Sequence, residues 1–159
     1  MKDRRHEHSM SVPLDLDLFP CFAVYSTGHV FNRVYKPLLE ELGLTYPQYI
    51  AMVLLWERDG QTVGELGQQL FLETNTLTPL LKRLETLGYV KRSRDPSDER
   101  QVRVHLTEVG RKLRQRAMHI PRRILDATGL DRKEAKRLVE EVCALRKALQ
   151  GLNLRSQAT

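Results

Sequence analysis

Apolar residues recur along this chain at two spacings, every three to four positions over most of its length and every second position in one short stretch. That pattern predicts a mainly α-helical chain with a single β-hairpin. Cys21, Val24, Tyr25, Gly28 and Phe31 fall on one helical face, so a first helix is expected from between Asp17 and Pro20 to about Arg33. Val34-Tyr35-Lys36-Pro37 is expected to break it, and Pro37 to Gly43 to form a short second helix closed by the glycine. Thr45 caps a third, with Pro47 in its first turn, Tyr49, Ile50, Val53, Leu54 and Trp56 turned inward, and Arg58-Asp59-Gly60 as its stop.

The strongest pattern follows. Thr62 with Glu65 has the spacing of a capping box at the start of a helix whose Val63, Leu66, Gly67 and Leu70 face inward. Next, Leu77, Leu80, Leu81, Leu84 and Leu87 form one stripe of a helix running to Gly88, with Thr74, Asn75 or Thr76 as candidate caps. Its other faces carry Thr76, Thr78, Lys82, Arg83 and Thr86, and Pro79 falls in or just past the first turn. Tyr89 to Arg94 then reads as a basic strand, Asp95 to Arg100 as a turn-rich tip, and Val102, Val104 and Leu106 alternate with Arg103 and His105. Two helices followed at once by a basic hairpin make a winged helix-turn-helix, so the expected fold class is mainly α, with an α+β winged unit.

Thr107 opens another helix through a basic stretch to about His119, where Pro121 kinks or ends it. Asp131 and Glu134 begin a last helix with Ala135, Leu138, Val139, Val142, Leu145 and Leu149 as its stripe. The expected organisation is a mobile tail over 1–13, N-terminal helices over 14–60, the winged unit over 61–106, C-terminal helices over 107–151 and a tail over 152–159. Apolar helices on both sides of the winged unit are expected to form a homodimer interface, burial within one subunit being the alternative. A two-fold dimer reads two half-sites on DNA, where one winged helix makes few contacts.

Charge sharpens this picture. The net charge is +6 and the sequence pI about 9.5, and Lys82, Arg83, Lys91, Arg92, Arg94, Arg100 and Arg103 all lie in the helix–wing segment. Clustered cations favour a polyanionic partner without identifying it, and the winged helix-turn-helix that carries them makes double-stranded DNA the expected one. No apolar run is long enough to span a membrane. Two cysteines in 159 residues do not make a disulfide framework, which points to a reducing, cytoplasmic setting. His6 and His8 lack companions for a metal site, and no cofactor is expected.

The order of elements and the Asp98-Glu99-Arg100 wing resemble the MarR family of dimeric repressors over residues 14 to 150. Within it, Cys21-Phe22-Ala23-Val24-Tyr25-Ser26, Tyr35-Lys36-Pro37-Leu38-Leu39, Leu44-Thr45-Tyr46-Pro47-Gln48-Tyr49 and Thr76 to Glu85 resemble the OhrR branch, the organic-hydroperoxide-sensing repressors. The resemblance implies a sensor cysteine at Cys21, with Tyr35 and Tyr46 hydrogen-bonding its sulfur across the dimer interface. A thiolate, favoured at a helix N-terminus, is the form that attacks a peroxide O–O bond. An apolar surround of Phe19, Phe22 and Phe31 would admit an organic hydroperoxide better than hydrated hydrogen peroxide. The sulfenic acid formed at Cys21 condenses with a thiol, and the operator is released. Some members pair the sensor with a second cysteine near the region that here reads Leu125-Asp126-Ala127, which has none. Cys143 is therefore expected to be structural, and a low-molecular-weight thiol to be the partner.

On the DNA side, Thr76, Thr78, Lys82 and Arg83 are candidates for the major groove. Arg94 and Arg100 are wing candidates, Arg100 for the minor groove with Asp98 bracing it. A MarR-type repressor released by a small phenolic ligand, with Cys21 incidental, is the alternative. Enzymatic peroxide turnover is not expected, since neither a reductant site nor a resolving cysteine is recognisable.

Overall fold

The computed structural model describes residues 14–156. The stretch 1–13, expected as a tail and including His6 and His8, lies outside the described residues, as do 157–159. A short 3-10 turn, Leu16–Leu18, leads into α1, Pro20–Glu40, then α2, Tyr46–Glu57, and β1, Gln61–Thr62. Helices α3, Val63–Leu70, and α4, Thr74–Thr86, form the helix-turn-helix. Strands β2, Val90–Arg94, and β3, Val102–Leu106, form the wing, followed by α5, Glu108–Ala117, α6, Ile120–Thr128, and α7, Arg132–Ser156. No helix among the described residues is long and apolar enough to cross a membrane.

The break expected at Val34–Pro37 is absent, because α1 runs unbroken through Pro37. A proline interrupts one backbone bond of a helix, but here the helix continues into Leu39, 2% exposed and packed in the core. Burial of that last turn offsets the lost bond. The end falls at Gly43, with φ +67, where the Leu44 amide donates to the Leu39 carbonyl (3.1 Å). The residues expected as a separate helix are thus the last turn of α1 and its cap.

Both sequence-predicted capping boxes of the winged unit's neighbourhood form. Thr62 accepts from the Glu65 amide (3.1 Å) while Glu65 accepts from the Thr62 amide (2.7 Å), and Asp131 and Glu134 reciprocate at the start of α7. Helix α4 differs from expectation: its N-cap is Glu73, which makes no side-chain cap bond, so Thr74, Asn75 and Thr76 all lie within the first turn. Pro79 consequently sits one turn deeper than a first-turn proline. Pro121, by contrast, occupies the first turn of a new helix, α6, and the chain bends at Met118–His119. Helix α7 continues to Ser156, into the stretch expected as tail.

The sheet is three-stranded, ordered β1-β3-β2, all antiparallel, with Gln61 opposite Val104 and Val90 opposite Leu106. Strand β1 has no sequence signature, being two polar residues. It exists because buried Gln61 is fully engaged, its amide donating to the carbonyls of Leu54 and Arg58 (both 2.8 Å). The core runs through α1's end, α2, α3, α4, the sheet, α5 and the start of α6, with Met52, Leu55, Leu66, Leu77, Leu81, Leu84, Val104 and Ile120 at 0–1% exposure. Trp56 closes one side by donating its indole N–H to the Gly110 carbonyl (2.9 Å).

Charge pairs hold the wing. Arg92 donates its backbone amide and its guanidinium to Glu85 of α4 (2.9, 2.9 and 2.7 Å). Asp95, 4% exposed, accepts from the Ser97 amide (2.7 Å) and from the Arg103 guanidinium, which also donates to the Gly60 carbonyl (2.8 Å). Backbone amides, of Arg92 for Glu85, of Ser97 for Asp95 and of Thr62 for Glu65, are the main reason all three carboxyls lie below their ordinary range, with the neighbouring arginines adding to it.

Two predictions follow from this packing. A Cβ on Gly110 would stand 2.0 Å from the Tyr89 carbonyl oxygen, a backbone atom that cannot swing away. Gly110→Ala should cost about 3 kcal/mol and lower the melting temperature by about 6–12 °C; a variant melting with the wild type would show that the α5–β2 junction is not this close. Glu65, Glu85 and Asp95 are depressed in the folded state, so their stabilisation is present above the carboxylate range and is lost as pH falls below about 4. Urea midpoints should therefore drop between about pH 6 and about pH 3, and less steeply in Glu65→Gln, which keeps the cap bond without the charge.

Candidate nucleic-acid interface and cysteine groove

The sequence of α4 turns Leu77, Leu81 and Leu84 into the core and leaves a ridge of Asn75, Pro79, Lys82 and Thr86 facing away from it. Thr76 and Arg83 form one shoulder of that ridge and Thr78 the other. Thr78 and Thr86 turn their hydroxyls back onto the carbonyls of Thr74 (2.8 Å) and Lys82 (3.0 Å). Asn75 was legible only as a candidate cap. With Glu73 at the cap, its amide stands free at the exposed start of the ridge, with a hydrogen bond only from Thr76 (3.3 Å).

The wing tip is organised by Asp98. Its carboxylate accepts from the Arg100 backbone amide (3.1 Å) and the Gln101 side chain (3.1 Å), and its carbonyl from the Gln101 amide (2.9 Å). Asp98 therefore braces Arg100 through the backbone and leaves the guanidinium free. Among the described residues, carboxylates engage Arg92 and Arg103 and leave Arg94 and Arg100 exposed and unpaired. Between the wing, the start of α3 and the flank of α4 lies a cleft of about 400 Å³ lined by Thr62, Thr74, Thr78, Arg92, Arg100 and Gln101 among others. Sequence reasoning did not foresee the part of Gln101 in this cleft, since it depends on the tip's turn.

Cys21 lies in the first turn of α1, directly after Pro20, and is exposed. It opens into a groove of about 690 Å³ with Pro20, Val24 and Tyr25 on one wall and Val142, Leu145 and Leu149 of α7 on the other, and with Arg146 and Gln150 also in the α7 wall. The expected surround of Phe19, Phe22 and Phe31 is not what lines it: Phe31 packs against the core and Phe22 points into solvent. The α7 wall was visible in the sequence only as a helical stripe, with nothing to say which element it met.

Tyr35 and Tyr46 are brought together, their ring centroids 4.6 Å apart, with Tyr49 at 6.0 Å from Tyr35. Burial, with the neighbouring phenols adding to it, pushes Tyr35 up to about 12. Burial likewise raises Tyr46. Both are thus protonated donors at neutral pH. Cys21 is not with them. Tyr35 lies fourteen residues further along the same unbroken helix, about 21 Å away at the helical rise. The apolar surface extends beyond the groove walls: α7 exposes Leu138, Val139, Val142, Leu145 and Leu149 at 39–60%, and α1 exposes Val24, Tyr25 and Val30. Within the single subunit these stripes are only partly covered.

Comparison with known proteins places these features. The family model for the transcriptional regulator SarA/Rot matches residues 33–117. The chain is 45% identical over 137 residues to the HTH-type transcriptional regulator TtmR of Methylorubrum extorquens, covering 86% of this chain and 70% of that one. It is 42% identical over 133 residues to the organic hydroperoxide resistance transcriptional regulator of Bacillus subtilis, covering 84% and 90%. Among solved structures, reduced AbfR bound to DNA superposes with a TM-score of 0.69 at 38% identity, covering 81% of this chain and 89% of that one. AbfR, from Staphylococcus epidermidis, has also been solved overoxidised on DNA and in a disulfide-formed state. A helix-turn-helix with an arginine-tipped wing, matched in sequence and in fold over most of its length, shows that this chain belongs to the MarR family of DNA-binding transcriptional regulators, in the branch of the organic hydroperoxide resistance regulators.

Proposed function

We propose that this regulator is a homodimeric repressor that senses organic hydroperoxides through Cys21 and is not a turnover enzyme. The observation that carries the reading is the position of Cys21, exposed in the first turn of α1 and opening into an apolar groove. The thiolate of a cysteine is the form that attacks a peroxide. The thiolate attacks one oxygen of the hydroperoxide; an S–O bond forms, the O–O bond breaks, and the alkoxide leaves to be protonated to an alcohol. Cys21 becomes a sulfenic acid, oxidised by two electrons as the peroxide is reduced by two. A low-molecular-weight thiol then condenses with it, giving a mixed disulfide and water. Cys143, on α7, does not line the groove and accepts a long contact from Arg146 (3.5 Å), which fits the structural role expected of it.

Dimerisation is supported by the apolar stripes that α1 and α7 leave uncovered. It is also what the tyrosines require: phenols about 21 Å from Cys21 in their own chain reach a cysteine only when it belongs to another copy. As protonated donors, Tyr35 and Tyr46 would hydrogen-bond a partner's thiolate, and a sulfenic acid in that position would compete for them. The reducing cytoplasm is the compartment in which such a thiol sensor rests reduced.

On DNA, Asn75, Thr76, Thr78 and Arg83 are assigned to base edges and Lys82 to phosphate. Arg100, held by the Asp98 turn, and Arg94 reach the backbone and minor groove from the wing. Lys82→Ala and Arg100→Ala should weaken binding to operator and random DNA alike and lower the salt slope by about 1 each. Asn75→Ala should spare random DNA and cost about 1–3 kcal/mol on the operator. Fluorescence anisotropy at several salt concentrations separates the two classes, and an unchanged slope in Arg100→Ala would remove the wing from the phosphate set.

The sensing reading is tested by the same anisotropy assay with cumene hydroperoxide and hydrogen peroxide, wild type beside Cys21→Ser. Wild type should be released at a far lower dose of the organic peroxide, and the variant should stay bound. Release of both proteins at one dose would sink Cys21 as sensor and favour a small ligand in the groove.

A further inference from the structure

Arg146 stands where three features of the molecule meet. It lines the groove that holds Cys21, one turn along α7 from Val142 and beside Leu149. Its guanidinium contacts the Cys143 sulfur at 3.5 Å. On its other side the guanidinium carbon sits over the Phe71 ring, 4.3 Å from the centroid, within the range of a cation–π contact.

Phe71 is the turn of the helix-turn-helix. It has φ +55, and among the described residues it is the sole non-glycine in the left-handed region. Its amide and that of Leu72 (3.0 Å) both donate to the Gly67 carbonyl, closing α3 in the manner that glycine closes α1 and α4. A bulky residue holds that conformation only when its surroundings fix it. The ring is 55% exposed, so the packing available to fix it is limited, and the guanidinium over its face is the contact that comes from outside the winged unit. Gln150, one turn beyond Arg146, borders both the Cys21 groove and the cleft beside Phe71, so the two hollows are separated by a single turn of α7.

We infer that Arg146 is a positioning residue that carries the state of the Cys21 groove to the helix-turn-helix by clamping Phe71. With the groove open, the guanidinium rests on the ring and the α3–α4 turn is held in its strained form, which sets the angle of α4. A group attached to Cys21 fills the groove against Arg146 and Gln150 and lifts the guanidinium from the ring; the turn relaxes and α4 shifts against DNA. This deepens the peroxide-sensing reading and rests on it.

The test uses full-length wild type, Arg146→Gln, Arg146→Lys, Phe71→Leu and the Arg146→Gln/Phe71→Leu pair. Each is compared reduced and after cumene hydroperoxide with cysteine, at equal Cys21 modification confirmed by intact mass. Two quantities are read: the ratio of operator Kd between modified and reduced protein, and amide exchange over residues 70–74 in the free reduced protein. Arg146→Gln should speed exchange at the turn and cut the Kd ratio about threefold, the scale of one partly exposed cation–π contact. Arg146→Lys should restore both, and the double variant should lose no more than either single one. A wild-type ratio and wild-type exchange in Arg146→Gln overturn the clamp. Failure of wild type itself to leave DNA at full Cys21 modification overturns the sensing reading and the relay together, whereas release of wild type with an unaltered ratio in Arg146→Gln overturns the relay alone.

Discussion

The continuity of α1 is the constraint on which the relation between Cys21 and the winged unit depends. One end of this helix is fixed, with Leu39 buried and Leu42 and Leu44 following it into the core of the winged unit. The other end projects with Cys21, Val24 and Tyr25 uncovered. A rod anchored at one end moves as a unit, so a displacement at Cys21 is felt where the helix meets α2. A hinge at Pro37 would have absorbed it. The same rigidity keeps Cys21 and Tyr35 about 21 Å apart within a chain.

The wing shows how a basic composition is divided between structure and ligand. Seven cations crowd the helix–wing segment in sequence, yet they are not equivalent in space. Arg92 and Arg103 are spent internally, against Glu85 and Asp95, to fix the hairpin's angle to α4 and to β1. Arg94 and Arg100 remain for a polyanion. Removing Arg92 would disturb the placement of the wing, while removing Arg100 would leave the wing's ion pairs intact. Surface ion pairs are individually weak, but the Arg92 pair includes a backbone amide and the Asp95 carboxylate is buried, so both restrict geometry more than an exposed pair does.

Local signals were legible where their chemistry is local. The boxes at Thr62–Glu65 and Asp131–Glu134 and the glycine at Gly88 are readable because the residues that satisfy the backbone lie within a turn of one another. The break at Pro37 was misjudged because a tertiary contact, the burial of Leu39, outweighs a local preference. Strand β1 was invisible because two polar residues carry no alternation, and its partner lies some forty residues away in β3. The candidate site divides the same way. Thr76, Lys82, Arg83, Arg94 and Arg100 were placed by pattern, whereas the α7 wall of the Cys21 groove depends on how α7 folds back across α1, which no spacing within α7 encodes.

Ahead of the wing, three helices end with a residue in the left-handed region followed by an amide that reaches back to the last turn: α1 at Gly43, α4 at Gly88 and α3 at Phe71. Glycine at the first two makes those ends indifferent to their surroundings, since it adopts positive φ without steric cost. Phenylalanine at the third makes that end conditional. The turn between α3 and α4 is therefore a helix end that a contact from elsewhere can influence, and α7, which also forms a wall of the Cys21 groove, supplies such a contact. A glycine there would give a more stable turn and, in the proposed relay, a poorer switch, because a turn that needs no outside contact cannot report the loss of one.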